Sequence, residues 1–281
     1  MLQIIQWLKR HRAINILLAS AYFLAVVGFH EEVTMLAIQL RLKVSIEGYN
    51  LFFGLATLAG FIIWFSWLTR NIIRRKNFKP ALIFLLPTLA LTVIFFFYAL
   101  TYTIEAIHYF QYAILAVLLF PLLKSYGATV FWATILGVFD ETYQYLILTP
   151  AFSYFDLNDI LLNLLGAGLA AVTIYLATGI GTPSLSRKIH LRVIITFIIL
   201  LAAFYAFAWY TDLIHWYPDS AGETARWFTI SRTPLESTFW TQAYKGKYFH
   251  IVRPWEGVGM MAFLFPYYFI LDYWKSHLNR S

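Results

Sequence analysis

What most limits the fold of this chain is a succession of apolar runs, each about 20 residues long, the length at which a helix crosses roughly 30 Å of hydrocarbon. The bilayer has no water to bond the backbone, so such runs must close their own hydrogen bonds as helices. Eight are expected, at about 13–30, 49–69, 80–102, 105–122, 126–148, 158–180, 190–211 and 257–273. Composition agrees, because 60% of residues are apolar, 12% are charged and the mean hydropathy is +0.67. The expected fold class is therefore all-α, a polytopic transmembrane helix bundle, and a soluble enzyme is set aside.

Orientation follows from Lys and Arg, which collect in cytoplasmic loops. Eight spans put both termini on one side. If that side is cytoplasmic it holds 14 of the 21 basic residues, whereas the outer side holds 13 of the 14 acids, giving +13 inside and −6 outside. Clusters such as Arg74-Arg75-Lys76 then lie beside the membrane and suit anionic lipid headgroups. The overall charge of +7 and pI near 9.4 consequently do not call for nucleic acid. Lys9, Arg10 and Arg12 precede the first run, no small-residue cleavage pattern follows, and the run reads as a retained signal anchor. There is no Cys, which excludes disulfides and thiolate metal sites. The chain divides into a two-helix region with a basic cytoplasmic loop (1–81), a four-helix core (82–180) and a two-helix region (181–281) with an outer cap at about 212–256.

Charge inside an apolar span is costly and marks function by default. Glu105, His108 and Tyr112 recur at i, i+3 and i+7, on one stripe of the fourth span. Asp140 and Gln144 share a face of the fifth, flanked by Glu141, and Asp156, Asp159 and Asn163 open the sixth. All are expected to converge on one volume in the outer leaflet. Structural roles compete for several: Asp156 as a helix N-cap, Glu105 as a solvated helix start, Asn163 as an interhelical bond. Five carboxylates exceed what packing requires, since amides and hydroxyls would pair at lower desolvation cost. The small residues around Gly166 and Gly168 imply close helix packing, and Pro87 and Pro121 imply kinks.

The patterns Glu105-x-x-His108-x-x-x-Tyr112, Gly137-x-x-Asp140-Glu141-x-x-Gln144 and Asp159-x-x-x-Asn163-x-x-Gly166 resemble the VanZ-like membrane proteins, over about residues 82–180. That resemblance implies envelope biology, the founding member being associated with resistance to the glycopeptide teicoplanin, which acts at the outer face on cell-wall precursors. It implies no particular reaction. Two positions depart from the family: Ala106 stands where members often carry Lys, and 149–156 lacks the Arg usual in that loop. A replacement cation is expected from the cap, where Arg226, Arg232, Lys245, Lys247 and Arg253 lie.

His108, Asp140, Glu141 and Asp159 are the expected catalytic groups, since His beside partly buried carboxylates permits general acid/base chemistry. Glu105, Tyr112, Gln144, Asn163, Arg226 and Arg253 are the expected substrate contacts. His108 with Glu105, Glu141 and Asp159 would alternatively suit Zn or Mn, and the carboxylates with Asn163 would suit Mg or Ca, although no H-E-x-x-H motif is present and the metal remains open. Aromatic residues crowd the cap, among them Trp216, Trp227, Trp240 and Tyr244, as an interfacial belt or as a lid that stacks on substrate. The expected function is action at the outer leaflet of a bacterial-type cytoplasmic membrane on a lipid or lipid-linked envelope molecule. A proton-coupled carrier and a noncatalytic partner of envelope enzymes are the alternatives. A carrier needs ionisable groups near the midplane and an inner exit, which the inner halves of these spans largely lack. Oligomeric state stays open.

Overall fold

The computed structural model describes residues 1–147, 155–181, 184–211, 214–215, 228–229 and 238–274. Arg226, Arg232, Trp216, Trp227 and the turn at Pro150 lie outside them. The helices are α1 (Leu2–Arg10), α2 (Arg12–Gly28), α3 (His30–Lys43), α4 (Ile46–Arg75), α5 (Phe78–Pro80), α6 (Leu86–Tyr98), α7 (Ile107–Leu123), α8 (Tyr126–Ile147), α9 (Leu157–Thr178), α10 (Ser184–Tyr210) and α11 (Pro254–Tyr273). A π-turn (Ala81–Leu85) joins α5 to α6, and a 3-10 turn (Thr103–Ala106) leads into α7. Each apolar run is helical, as its backbone requires in hydrocarbon.

Among the described residues five helical runs are long and apolar enough to cross a membrane, or six if α1 and α2, bent by 107°, count as one broken span. The chain is thus a helical, membrane-type protein. α8 and α11 are helical where spans are expected, but Asp140, Glu141 and Gln144 on one and Glu256 and Asp272 on the other lower their hydropathy. A further difference falls between the first two expected spans, where α3 replaces a loop. Glu31 and Glu32 open α3 and Arg41 and Lys43 close it, the charge order that complements a helix dipole. It contains no 20-residue apolar run, and for that reason a search for spans passes over it.

α9 is the axis of the bundle, packed by α7, α8, α11, α4 and α6. Every residue in it is buried except Asp159. Small residues make that burial possible. A Cβ on Gly166 would lie 2.4 Å from the Tyr109 carbonyl oxygen of α7, and one on Gly168 would lie 2.2 Å from the Tyr268 hydroxyl of α11. Both distances are inside van der Waals contact, so these glycines set how closely the neighbours approach. α4 and α10 surround this axis with mostly exposed apolar faces, as expected of surfaces that meet lipid.

Pro87 shows how the bundle absorbs a missing donor. Proline lacks an N–H and releases the carbonyl four residues before it, here that of Ile83 in the π-turn. The Tyr267 hydroxyl of α11 donates to that oxygen at 2.7 Å. At the same end, Asp272 of α11 accepts from Ser125 Oγ (2.7 Å) and from the backbone N–H groups of Tyr126 (2.6 Å) and Gly127 (3.0 Å). A carboxylate from one helix thus caps the N-terminus of another and satisfies donors that would otherwise be orphaned.

In the described part of the cap, β1 (Ile214–His215) pairs in parallel with β2 (Phe228–Thr229), and β3 (Thr241–Tyr244) and β4 (Lys247–Phe249) form an antiparallel hairpin. Gly246 turns the hairpin with φ 84°, a left-handed conformation that glycine adopts without strain. Asn158 at the start of α9 ties it down. Its amide donates to the carbonyls of Ala99 and His250 (2.9 Å each), and its oxygen accepts from Val252 N at 2.8 Å. The His250 backbone N–H donates to Tyr98 O at 2.6 Å.

Candidate functional site

The site lies where α7 and α9 begin and α8 nears its end. Glu105, on the 3-10 turn, accepts from the backbone N–H groups of Thr101 (2.8 Å) and Tyr102 (3.2 Å), while Asn50 of α4 accepts from Thr103 N at 3.0 Å. These bonds fix the entry of α7. Glu105 therefore has a structural duty besides lining the site, and Asp156 caps α9 by accepting from Asn158 N at 2.9 Å.

At the second residue of α7, one turn beyond Glu105, His108 is buried. Its Nδ1 lies 3.0 Å from Asn163 Oδ1, and its Nε2 lies 3.6 Å from Asp159 Oδ2. An amide oxygen only accepts, so Nδ1 donates and carries a proton. The ring is thereby oriented with Nε2 toward Asp159, the one residue of α9 that is not buried. Gly137 of α8 makes room for this pair, because a Cβ there would come within 2.7 Å of Asn163 Nδ2 and 3.2 Å of Tyr112.

On α8, Asp140 is wholly buried and accepts from the Tyr112 hydroxyl at 3.3 Å. Its other oxygen has no hydrogen-bond partner, although His30 Nδ1 of α3 stands 4.0 Å away, an ion-pair distance too long for a hydrogen bond. Asn163 Nδ2 is likewise buried without a partner. The next carboxylate, Glu141, accepts from Gln144 at 3.2 Å. The polar centre thus retains unused acceptor and donor capacity in the low-dielectric interior behind the recess.

These side chains border a recess of ≈ 930 Å³. Glu105, His108, Glu141, Gln144, Asp156 and Asp159 line it. Thr241, Gln242 and Ala243 of β3 form part of its wall. Tyr112, Asp140 and Asn163 stand behind that lining and hold it in place.

Of the cations expected from the cap, Arg226 and Arg232 lie outside the described residues. Arg41 of α3 lines the recess, its guanidinium 4.7 Å from the Tyr102 ring centroid. Tyr102 in turn stacks on Tyr244 of the hairpin at 5.9 Å. Arg253 stands instead at the start of α11, with its guanidinium 5.4 Å from the Trp255 ring. Lys247 donates to Phe97 O at 3.3 Å; burial lowers its pKa from the usual lysine value, and the nearby Glu105 carboxylate opposes that shift.

His30 and Arg41 are the participants that sequence reasoning missed. With Thr34 and Ile38 they recur at i, i+4, i+8 and i+11, and all four line the recess. That stripe, polar at His30, Thr34 and Arg41, was the available signal. The expected metal set is not assembled, since no three His, Asp or Glu side chains among the described residues are grouped to hold an ion. His108 and Asp159 form a pair, while Glu105 is turned to its backbone donors.

No protein family, curated protein or solved structure matches the chain. The site must be read from its own geometry. Four carboxylates, one guanidinium and two imidazoles share the recess, a mixture that favours a partner carrying both an anionic group and hydroxyl or amine groups. His108, held by Asn163 and with Nε2 toward Asp159, presents a titratable ring nitrogen at the recess.

Proposed function

We propose that this chain is a VanZ-like membrane protein with eight spans and cytoplasmic termini, residing in a bacterial-type cytoplasmic membrane. Its recess faces the outer leaflet and binds the headgroup of a lipid or lipid-linked envelope molecule. Arg41 takes the headgroup's anionic part, and Asp156 and Asp159 take its hydroxyl or amine groups. His108 Nε2 removes a proton from an attacking hydroxyl, a headgroup moiety passes to that oxygen, and Glu141, protonated, returns a proton to the leaving oxygen, with Asp140 behind it holding Tyr112. By the same chemistry the protein alters susceptibility to glycopeptide antibiotics that bind envelope precursors.

One observation carries this reading: His108 is oriented by Asn163 toward Asp159, the single residue of the axial helix that is not buried, beside a recess of ≈ 930 Å³. The carrier alternative has less support. The buried carboxylate at the opposite end, Asp272, is already occupied by three hydrogen-bond donors and provides no relay.

The test is reconstitution of the full chain in vesicles of phosphatidylethanolamine and phosphatidylglycerol that include a lipid with a photoreactive headgroup. The expected result is labelling of recess residues, with altered lipid products seen by mass spectrometry in wild type and absent in His108→Ala. No labelling of the recess in wild type would overturn the proposal.

A further inference from the structure

A second space adjoins the recess. It is a cleft of ≈ 340 Å³ between α3, α4 and α7, and among its lining residues Thr57 alone bears a polar side chain. Val33, Leu36, Ala37 and Leu40 contribute one stripe of α3, at i, i+3, i+4 and i+7. Phe53 and Ala56 of α4 face them, and Phe110 of α7 closes the remaining wall. The cleft and the recess share Val33, Ala37, Ile104 and Ile107, so an apolar space and a polar space meet along one edge.

We infer that the cleft holds a hydrocarbon chain of the same molecule whose headgroup occupies the recess, which makes the ligand an amphiphile taken with its tail in place. This rests on the headgroup reading above and adds to it. A wholly water-soluble ligand would gain nothing from an apolar annex, whereas an amphiphile needs its polar and apolar parts held side by side. At ~30 Å³ per water-sized group the cleft takes about ten such groups, the scale of a good part of an acyl or prenyl chain. Its rim is open to the bilayer side of the bundle, since Leu36, Leu40 and Phe110 remain 57%, 39% and 37% exposed. A chain can therefore enter laterally without leaving hydrocarbon. α3 serves both spaces, with Arg41 and His30 on its polar stripe and Leu36 and Leu40 on its apolar one.

The test uses the full chain in the same vesicles, with phosphatidylethanolamine carrying a photoreactive group at the end of one acyl chain. Labelling of 33–40 and 53–57 is expected to exceed that of Ile199, Leu200 and Phe204, exposed apolar residues of α10 that sample bulk lipid. Ala56→Trp, which fills the cleft, is expected to bring its labelling down to the α10 level. Leu36→Trp, on the exposed wall, does the same should the first variant misfold. Cleft labelling equal to that of α10 in wild type overturns the inference. If a headgroup probe still labels the recess in that case, the functional reading stands alone; if neither probe labels its space above the α10 level, both fail.

Discussion

Asp140 and Asp272 are two buried carboxylates set against α8, about 20 Å apart along its axis at 1.5 Å per residue. They differ in what meets them. Asp272 accepts from one hydroxyl and two backbone amides at 2.6–3.0 Å. Asp140 accepts from the Tyr112 hydroxyl at 3.3 Å, has the Gln144 amide as a neighbour and keeps an oxygen without a close hydrogen bond. Burying a charge is tolerable when its acceptor capacity is used, and Asp272 is a cap on that account. Asp140 retains capacity inside the same bundle and stands beside a recess. Burial alone therefore does not separate the two carboxylates; their hydrogen-bond partners do.

The largest effect expected is on chemistry at the underused end. His108→Ala should lower lipid turnover by about 10²–10⁴-fold, the usual worth of a positioned base, with little change in thermal stability in detergent. A variant that unfolds instead would move His108 to the structural side of the comparison. Next, Asp272→Ala should cost about 3 kcal/mol, because it strands the Tyr126 and Gly127 amides, and thermal denaturation would show it. Asp140→Asn should leave stability nearly unchanged while reducing turnover. The reverse pattern would break the contrast between the two ends.

Glycines sharpen it further. Gly166→Ala drives a methyl into the backbone of Tyr109, which cannot swing aside, and should destabilise by about 1–3 kcal/mol or more. Gly137→Ala meets first the side-chain amide of Asn163, which can shift, so activity should fall while the melting temperature holds. Equal stability losses from both would show that Asn163 is a packing element rather than the group that orients His108. The smallest effect is expected at Asp156→Ala, where loss of an N-cap costs about 1 kcal/mol, readable as a modest fall in melting temperature.

Much of the architecture was legible in the residues. Hydrocarbon forces apolar runs of 20 residues into helices, and helical spacing puts His108 with Tyr112, Asp140 with Gln144 and Asp159 with Asn163 on common faces. The close approach at Gly166 and Gly168 and the capping role of Asp156 follow from equally local rules. α3 was hidden because a mixed-charge segment of 14 residues resembles a loop to any search for spans. A cation was expected from the cap because the cap holds most of the cations on that side, and Arg41 of α3 was passed over with its helix.

By itself, then, the sequence determined the helices and the polar face of each one, because backbone satisfaction and helical periodicity act within about twenty residues. Tertiary structure decided which faces meet. It joined His108 to Asn163 and Asp159, brought Arg41 and His30 in from α3, set β3 in the wall of the recess and gave Asp272 its three donors. Those outcomes depend on contacts between residues far apart in the chain, set by how closely whole helices pack around α9, and no local pattern records that distance.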